Sequence, residues 1–210
     1  MFNSSNKPQV VERRRIDVME KGFKMFAERS IESVSMQQIA DHVGCGIATL
    51  YRYFDKKQGY VVAIATWKWE QFQKEYRKHM KNTDKMTALE KFTFYLDSFL
   101  ELYRNHRDLL RYNQMFNIYV QSEKLDAETM TPYQEMIDQL KAWFHEMYVK
   151  AQADHTLKTD LSEQEMFSAT LHLMLAVVTR YAIGLVYQSG SDPEKELELQ
   201  KELLLTRFKA

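Results

Sequence analysis

At 210 residues, 45% hydrophobic and 28% charged, the chain has the make-up of a folded globular protein and enough length to bury a core without covalent staples. A single cysteine, Cys45, excludes an internal disulfide and a CxxC metal site and is in keeping with a reducing compartment. Charge balances over the whole chain, yet residues 1–60 hold ten Lys/Arg against seven Asp/Glu while the remainder holds nineteen against twenty-two, a modest basic bias at the N-terminal end. The polar first nine residues lack the apolar stretch of a secretory signal, and the longest apolar run, 173–178, is too short for a membrane span. The expected location is the cytoplasm.

Few glycines and prolines, six and three, favour long helices, and apolar stripes at helical spacing supply them in chain order. The first predicted helix carries Ile16, Met19, Phe23 and Phe26. A short second one, with Ile39, Ala40 and Val43, opens on a capping box in which the Ser35 hydroxyl and the Gln38 side chain satisfy each other's backbone N–H. A third covers Ile47 to Phe54. The fourth, about 56–81, is striped by Val61, Ala65, Trp69, Phe72 and Tyr76, with a looser cap in Asp55 and Gln58. Thr87 and Glu90 box the fifth, with Leu89, Phe92, Leu96, Phe99 and Tyr103. The sixth shows Leu109, Tyr112, Phe116 and Tyr119 after a loose Asn105–Asp108 cap. Thr131-Pro132-Tyr133-Gln134 reads as the start of the seventh, with Met136, Leu140, Trp143 and Met147. Ser162 and Glu165 box the eighth, about 163–188, which is apolar around most of its circumference. Asp192-Pro193 opens the ninth, which runs toward Phe208. With no period-two alternation and no repeat, the expected fold is all-α with about nine helices, a helix-turn-helix domain over 1–56 and a larger helical domain over 57–210.

Residues 35–57 hold the informative pattern. Gly44 is placed to take the left-handed conformation that closes a helix, and a turn of three to four residues then opens the third helix. In such a helix-turn-helix the second helix enters the DNA major groove. Leu50 and Phe54, four apart, face the core, which leaves Gly46, Ile47, Ala48, Thr49, Tyr51, Arg52 and Tyr53 along or near the exposed side. Short apolar groups there can meet thymine methyls, and the hydroxyls and Arg52 can reach bases or phosphates. Arg13-Arg14-Arg15 reads as a solvated charge run or as a phosphate-contacting arm.

Met25-Phe26-Ala27-Glu28-Arg29, Gln38-Ile39-Ala40, Gly44, and Ala48-Thr49-Leu50-Tyr51-Arg52-Tyr53-Phe54 followed by Lys57 resemble the N-terminal signature of the tetracycline-repressor (TetR) family over about residues 10–60. The resemblance implies that Thr49, Tyr51, Tyr53 and Lys57 contact DNA, with Ser35 and Gln37 near phosphate. Ser30 stands where the family usually has Gly, and Gly46 and Ile47 stand where polar residues are commoner, so the family's base-reading pattern is not carried over. It further implies a homodimer that represses transcription at operator DNA.

Nothing in the chain reads as an enzyme or a cofactor site. Gly44-Cys45-Gly46 lacks the third glycine and preceding strand of a dinucleotide fingerprint, and His145-Glu146 is followed by Val149 where a zincin needs His. The six histidines show no metal-ligand spacing. The apolar girth of the eighth helix around Leu175, Val178, Ile183 and Val186, with Leu197, Leu203 and Leu204 of the ninth, suits a two-fold interface. Phe99, Tyr103, Tyr112, Phe116, Tyr119, Trp143, Met147 and Met174 suggest a mostly hydrophobic cavity for a small apolar or aromatic effector, uncharged or weakly charged. The alternative is a DNA-binding scaffold whose C-terminal domain binds a protein partner.

Overall fold

A computed structural model describes residues 7–81, 83–184, 190 and 192–210. Among them are nine helices: α1 (Lys7–Glu28), α2 (Met36–Val43), α3 (Ile47–Phe54), α4 (Lys57–Arg77), α5 (Ala88–Asn105), α6 (Arg107–Glu123), α7 (Ala127–Asp154), α8 (Glu163–Ile183) and α9 (Pro193–Phe208). No strand occurs among the described residues, only an isolated antiparallel bridge between Leu157 and Lys209. The all-α expectation is met.

Three starts follow the sequence to the residue. Ser35, Thr87 and Ser162 are N-caps, each boxed with the residue three further on, and Asp192 caps α9 ahead of Pro193. The seventh helix differs. It begins at Ala127, with Pro132 inside it, because the Asp126 carboxylate accepts the Thr129 N–H at 2.7 Å and starts the helix a turn earlier. The Thr131 hydroxyl bonds back to the Ala127 carbonyl instead of capping. The looser caps also fail: Asp55 closes α3 with φ +57°, and His106 closes α5. α4 stops at Arg77 rather than near 81, and α8 at Ile183, where Gly184 accepts a positive φ.

The chain divides into two compact units, one of residues 1–69 with 112–134 and the other of 70–111 with 135–210. In the first, α1 buries Val18, Met19, Phe23 and Phe26 among α4 and α6 residues Tyr60, Val61, Ile64, Tyr112 and Phe116. Two buried phenols tie these helices by main-chain bonds: Tyr60 donates to the Val18 carbonyl at 2.6 Å, and Tyr112 to the Val61 carbonyl at 2.8 Å. Phe23 and Phe26 lie 5.4 and 6.3 Å from the Tyr112 ring, which stacks on Phe116. Such aromatic contacts add to simple burial. The indole N–H of Trp69 satisfies the buried Asn113 amide at 3.1 Å.

In the second unit α5, α8 and α9 pack on one another. Phe92 meets Phe208 edge-on at 5.6 Å, and Phe144 of α7 meets Phe167 of α8 at 5.3 Å. Ion pairs trim the rim: Lys201 with Asp97 at 2.6 Å, and Arg104 with Glu194 and Glu198 at 2.8 and 3.1 Å. α8 is long and apolar, with a mean hydropathy of 1.4 over its best window. Met166, Phe167, Thr170, Met174, Val178 and Ala182 line its inner face, while His172 and Arg180 are exposed on the other. A core helix of a folded protein has this pattern.

Candidate nucleic-acid interface

The local chemistry of residues 31–57 builds a rigid hairpin of helices. Ile31 and Val34 are buried ahead of the Ser35 cap, and α2 sinks Met36, Ile39, Ala40 and Val43. Gly44 then takes φ +71°, ψ +40°, and its N–H returns to the Ala40 and Asp41 carbonyls. That left-handed residue costs a side chain about 1 kcal/mol, which glycine avoids. Gly44, Cys45 and Gly46 form the three-residue turn before α3. Lys21 of α1 reaches the Val43 carbonyl at 3.4 Å, placing a cation at the negative end of α2.

On α3, Leu50 and Phe54 are buried, and Phe54 packs on Tyr60 at 4.7 Å under the guanidinium of Arg15. Their burial turns the opposite face outward. Gly46, Ala48, Tyr51 and Arg52 are exposed, and Ile47, Thr49 and Tyr53 are half-buried beside them. Arg52 lies over the Tyr53 ring at 5.6 Å. Ser35 and Gln37 are exposed at the start of α2, although Ser35 is engaged in its cap and the Gln37 amide holds Asp41 at 2.8 Å. Nine of the ten sequence-chosen positions are therefore exposed or half-buried on α2, α3 and the turn between them.

Lys57 is the tenth, and it is held differently. It is half-buried, donates to the Glu32 carbonyl at 3.4 Å and lies 5.6 Å over the Tyr119 ring of α6. Burial lowers its ammonium pKa, opposed by Glu123 and Glu32. The neighbouring exposed cation is Lys56, a residue that the signature did not single out. Arg13 and Arg14 are exposed too, and the Cys45 thiol, pushed up by burial, feels the opposing charges of Arg14 and Lys21. Basic groups of α1 thus flank the turn, a proximity that sequence spacing alone does not reveal.

The expected cavity residues fare less evenly. Phe99, Tyr103, Tyr112, Phe116, Tyr119, Met147 and Met174 are buried, and Tyr112, Phe116 and Tyr119 belong to the first unit while the others belong to the second. Trp143 and Met147 border a cleft in company with Lys91, Tyr95 and Phe144, which the sequence reading missed. Among the interface candidates, Ile183 and Leu203 are exposed and Leu175 is half-buried. Val178 and Leu197 are fully covered within the chain and Leu204 nearly so, since they form the α5–α8–α9 core. Val186 lies outside the described residues. No cluster of three or more His, Cys, Asp or Glu suited to a metal occurs among the described residues.

Residues 18–64, which contain the whole hairpin and its buried supports, match the model of the bacterial regulatory proteins, tetR family. That segment is similar to the tetR-family model, and solved structures resemble the fold over more than nine-tenths of the chain. FadR, a transcriptional regulator from Bacillus subtilis in complex with stearoyl-CoA, is 18% identical, with a TM-score of 0.72 over 91% of this chain and 98% of that one. The ketosteroid transcriptional regulator KstR2 of Mycobacterium tuberculosis is 16% identical, with a TM-score of 0.65 over 94% and 95%. GusR of Salmonella enterica gives 16% and 0.67 over 92% and 96%. At these identities the likeness is one of fold. No curated protein sequence matches the chain. In a helix-turn-helix, the second helix of the hairpin, here α3, is the one that enters the major groove.

Proposed function

We propose that the protein is a ligand-responsive repressor that binds operator DNA as a homodimer in the cytoplasm, residues 1–56 docking on DNA and 57–210 carrying the effector and dimer surfaces, with no catalytic role. The observation that carries this reading is the coincidence of the tetR-family match over 18–64 with a hairpin whose exposed face gathers Ala48, Tyr51 and Arg52. An exposed Tyr-Arg pair has no packing role to explain it, whereas hydroxyl and guanidinium donors suit base edges and phosphates. Dimerisation is supported by a stripe of exposed apolar side chains on α8 and α9, namely Leu173, Ile183, Leu199 and Leu203, which a second copy would cover. Effector control is supported by the resemblance in fold to a regulator bound to stearoyl-CoA.

Selection of binding sites from random duplex DNA by the full-length chain is the test, and a two-fold symmetric consensus is the expected result. Thr49→Ala and Tyr51→Ala should each weaken that site by about 1–3 kcal/mol and relax the sequence preference at one position. Lys57→Ala should weaken all sequences alike and lower the salt slope by about one. Recovery of no preferred sequence would refute the reading. The small size of the cleft bordered by Trp143 and Met147 favours a second reading, in which the C-terminal unit binds a protein partner; capture of one cellular protein by that unit's surface, with no ligand response, would select it.

A further inference from the structure

α1 begins at Lys7, and its first buried residue among those described is Val18. Residues 9–14 are all exposed, Val10 and Val11 at 60% and 50%, so about three turns of helix stand ahead of the core. An uncovered helix of that length is marginal in water. Arg15 anchors it, with its guanidinium 5.4 Å over the Phe54 ring at the end of α3 and 3.4 Å from Glu12. The acids of this half of α1 are spent: Glu12 on Arg15, Asp17 on Lys21 and Glu20 on Lys68. Arg13 and Arg14 are exposed and form no hydrogen bond or ion pair among the described residues. Successive side chains leave a helix about 100° apart, so the three consecutive arginines have three outlooks. With Arg15 on Phe54, Arg13 lies about 160° around the helix, on the outer face with exposed Asp17 and Lys24. Arg14 shares its face with Lys21, seven positions on, and Lys21 reaches the Val43 carbonyl just ahead of the Gly44–Gly46 turn. The charges of both cations bear on the Cys45 thiol within that turn. Arg14 is therefore an uncommitted cation beside the N-terminal end of α3, the end whose first residues meet base edges in a helix-turn-helix.

We propose that the first turns of α1 are a second DNA-contacting element, in which Arg14 binds a backbone phosphate beside the groove that α3 enters, Arg15 holds the helix in place from the Phe54 ring, and Arg13 faces solvent. The proposal rests on the DNA-binding reading above and adds to it a contact outside the helix-turn-helix. A guanidinium suits phosphate because its planar fork makes two parallel charge-assisted bonds. Such a contact fixes the register of the protein on the duplex and carries no sequence information. Of the two readings open to the Arg13-Arg14-Arg15 run, each then holds for a different residue: one arginine is a clamp, one is a strut and one is solvated.

Fluorescence anisotropy of the full-length protein on its selected site and on a random duplex, at several salt concentrations, tests the assignment. Arg14→Gln should weaken binding to both duplexes about tenfold or more, the effect of losing a charge-assisted bond, and lower the slope of log affinity against log salt by about one. Arg14→Lys keeps the charge and should restore the slope. Arg13→Gln makes the same change in net charge and should leave the slope unaltered. Arg15→Ala should lower the melting temperature of the free protein, and Arg14→Gln should not. An unaltered slope for Arg14→Gln would overturn the assignment. So would an equal fall for Arg13→Gln, which is what a diffuse field of charge gives, or a lowered melting temperature for Arg14→Gln, which is what a structural arginine gives. Site selection with the same preparation separates the two levels. If the protein selects a consensus that Thr49→Ala weakens and Arg14→Gln does not, only the α1 contact falls; if it selects none, the regulator reading falls with it.

Discussion

Gly22 presents only hydrogen toward Tyr60, where a Cβ would stand 1.8 Å from the phenol oxygen and 2.6 Å from the ring carbon bearing it. The phenol cannot swing aside without losing its bond to the Val18 carbonyl. In an open helix, Gly→Ala gains about 1 kcal/mol from propensity, so the sign of the effect is diagnostic here. Gly22→Ala should lower stability by about 1–3 kcal/mol, the range for overpacking a tight core, as measured by denaturant unfolding. Tyr60→Phe in that background should recover part of the loss. A stabilised Gly22→Ala protein would show that the two helices have slack. Nothing in the sequence marks this glycine, because its partner lies 38 positions further on in a different helix; the close approach becomes visible only once α1 and α4 are side by side. Leu50 and Phe54, in contrast, were legible from their spacing alone.

Among elements, the boxed helices were the readable ones, because both halves of a capping box lie within four residues and answer to each other. The α7 start escaped for the same reason in reverse: Thr131-Pro132 satisfies the local pattern, but Asp126 offers a competing cap five residues earlier. The three boxes also differ in charge. In α5 and α8 the closing residue is an acid, and the bonds it accepts from Thr87 or Ser162 hold Glu90 and Glu165 below the ordinary Glu value. A depressed carboxylate stabilises fully above its unfolded pKa, near about 4.3, and loses that contribution as pH falls through its folded value. The α2 box closes on Gln38 and does not titrate. Replacing Glu90 and Glu165 together by Gln should therefore flatten the acid limb of melting temperature between pH 6 and about pH 3 relative to the unaltered protein. Identical acid limbs would mean that the boxes contribute nothing measurable. The membership of Tyr112, Phe116 and Tyr119 in the unit of the helix-turn-helix was not legible at all, since a helical stripe names a face without naming what it faces.

For the whole molecule, the helix-turn-helix hairpin was more legible in the sequence than the cleft. Residues 35–57 lie close together in the chain, whereas the cleft draws on α5 and α7 with half a hundred residues between them. The dimer expectation has a clean test in Leu203, 55% exposed on α9. Leu203→Glu places a charge on the exposed stripe without disturbing the enclosed Leu197 and Val178. If α8 and α9 form the two-fold contact, it should raise the dimer dissociation constant by about thirtyfold or more, the effect of losing a central interface anchor. Sedimentation would report this, with unchanged helical circular dichroism. A variant that stays dimeric would move the interface elsewhere. Cys45 bears on the same question through measurement. It is the chain's sole thiol, and it lies in the turn immediately before α3. A nitroxide spin label attached there would give one paramagnetic centre per protomer without any substitution. In a dimer, dipolar spectroscopy would then follow the distance between the two helix-turn-helix hairpins. Docking on successive major grooves requires separations of roughly 34–36 Å between recognition helices.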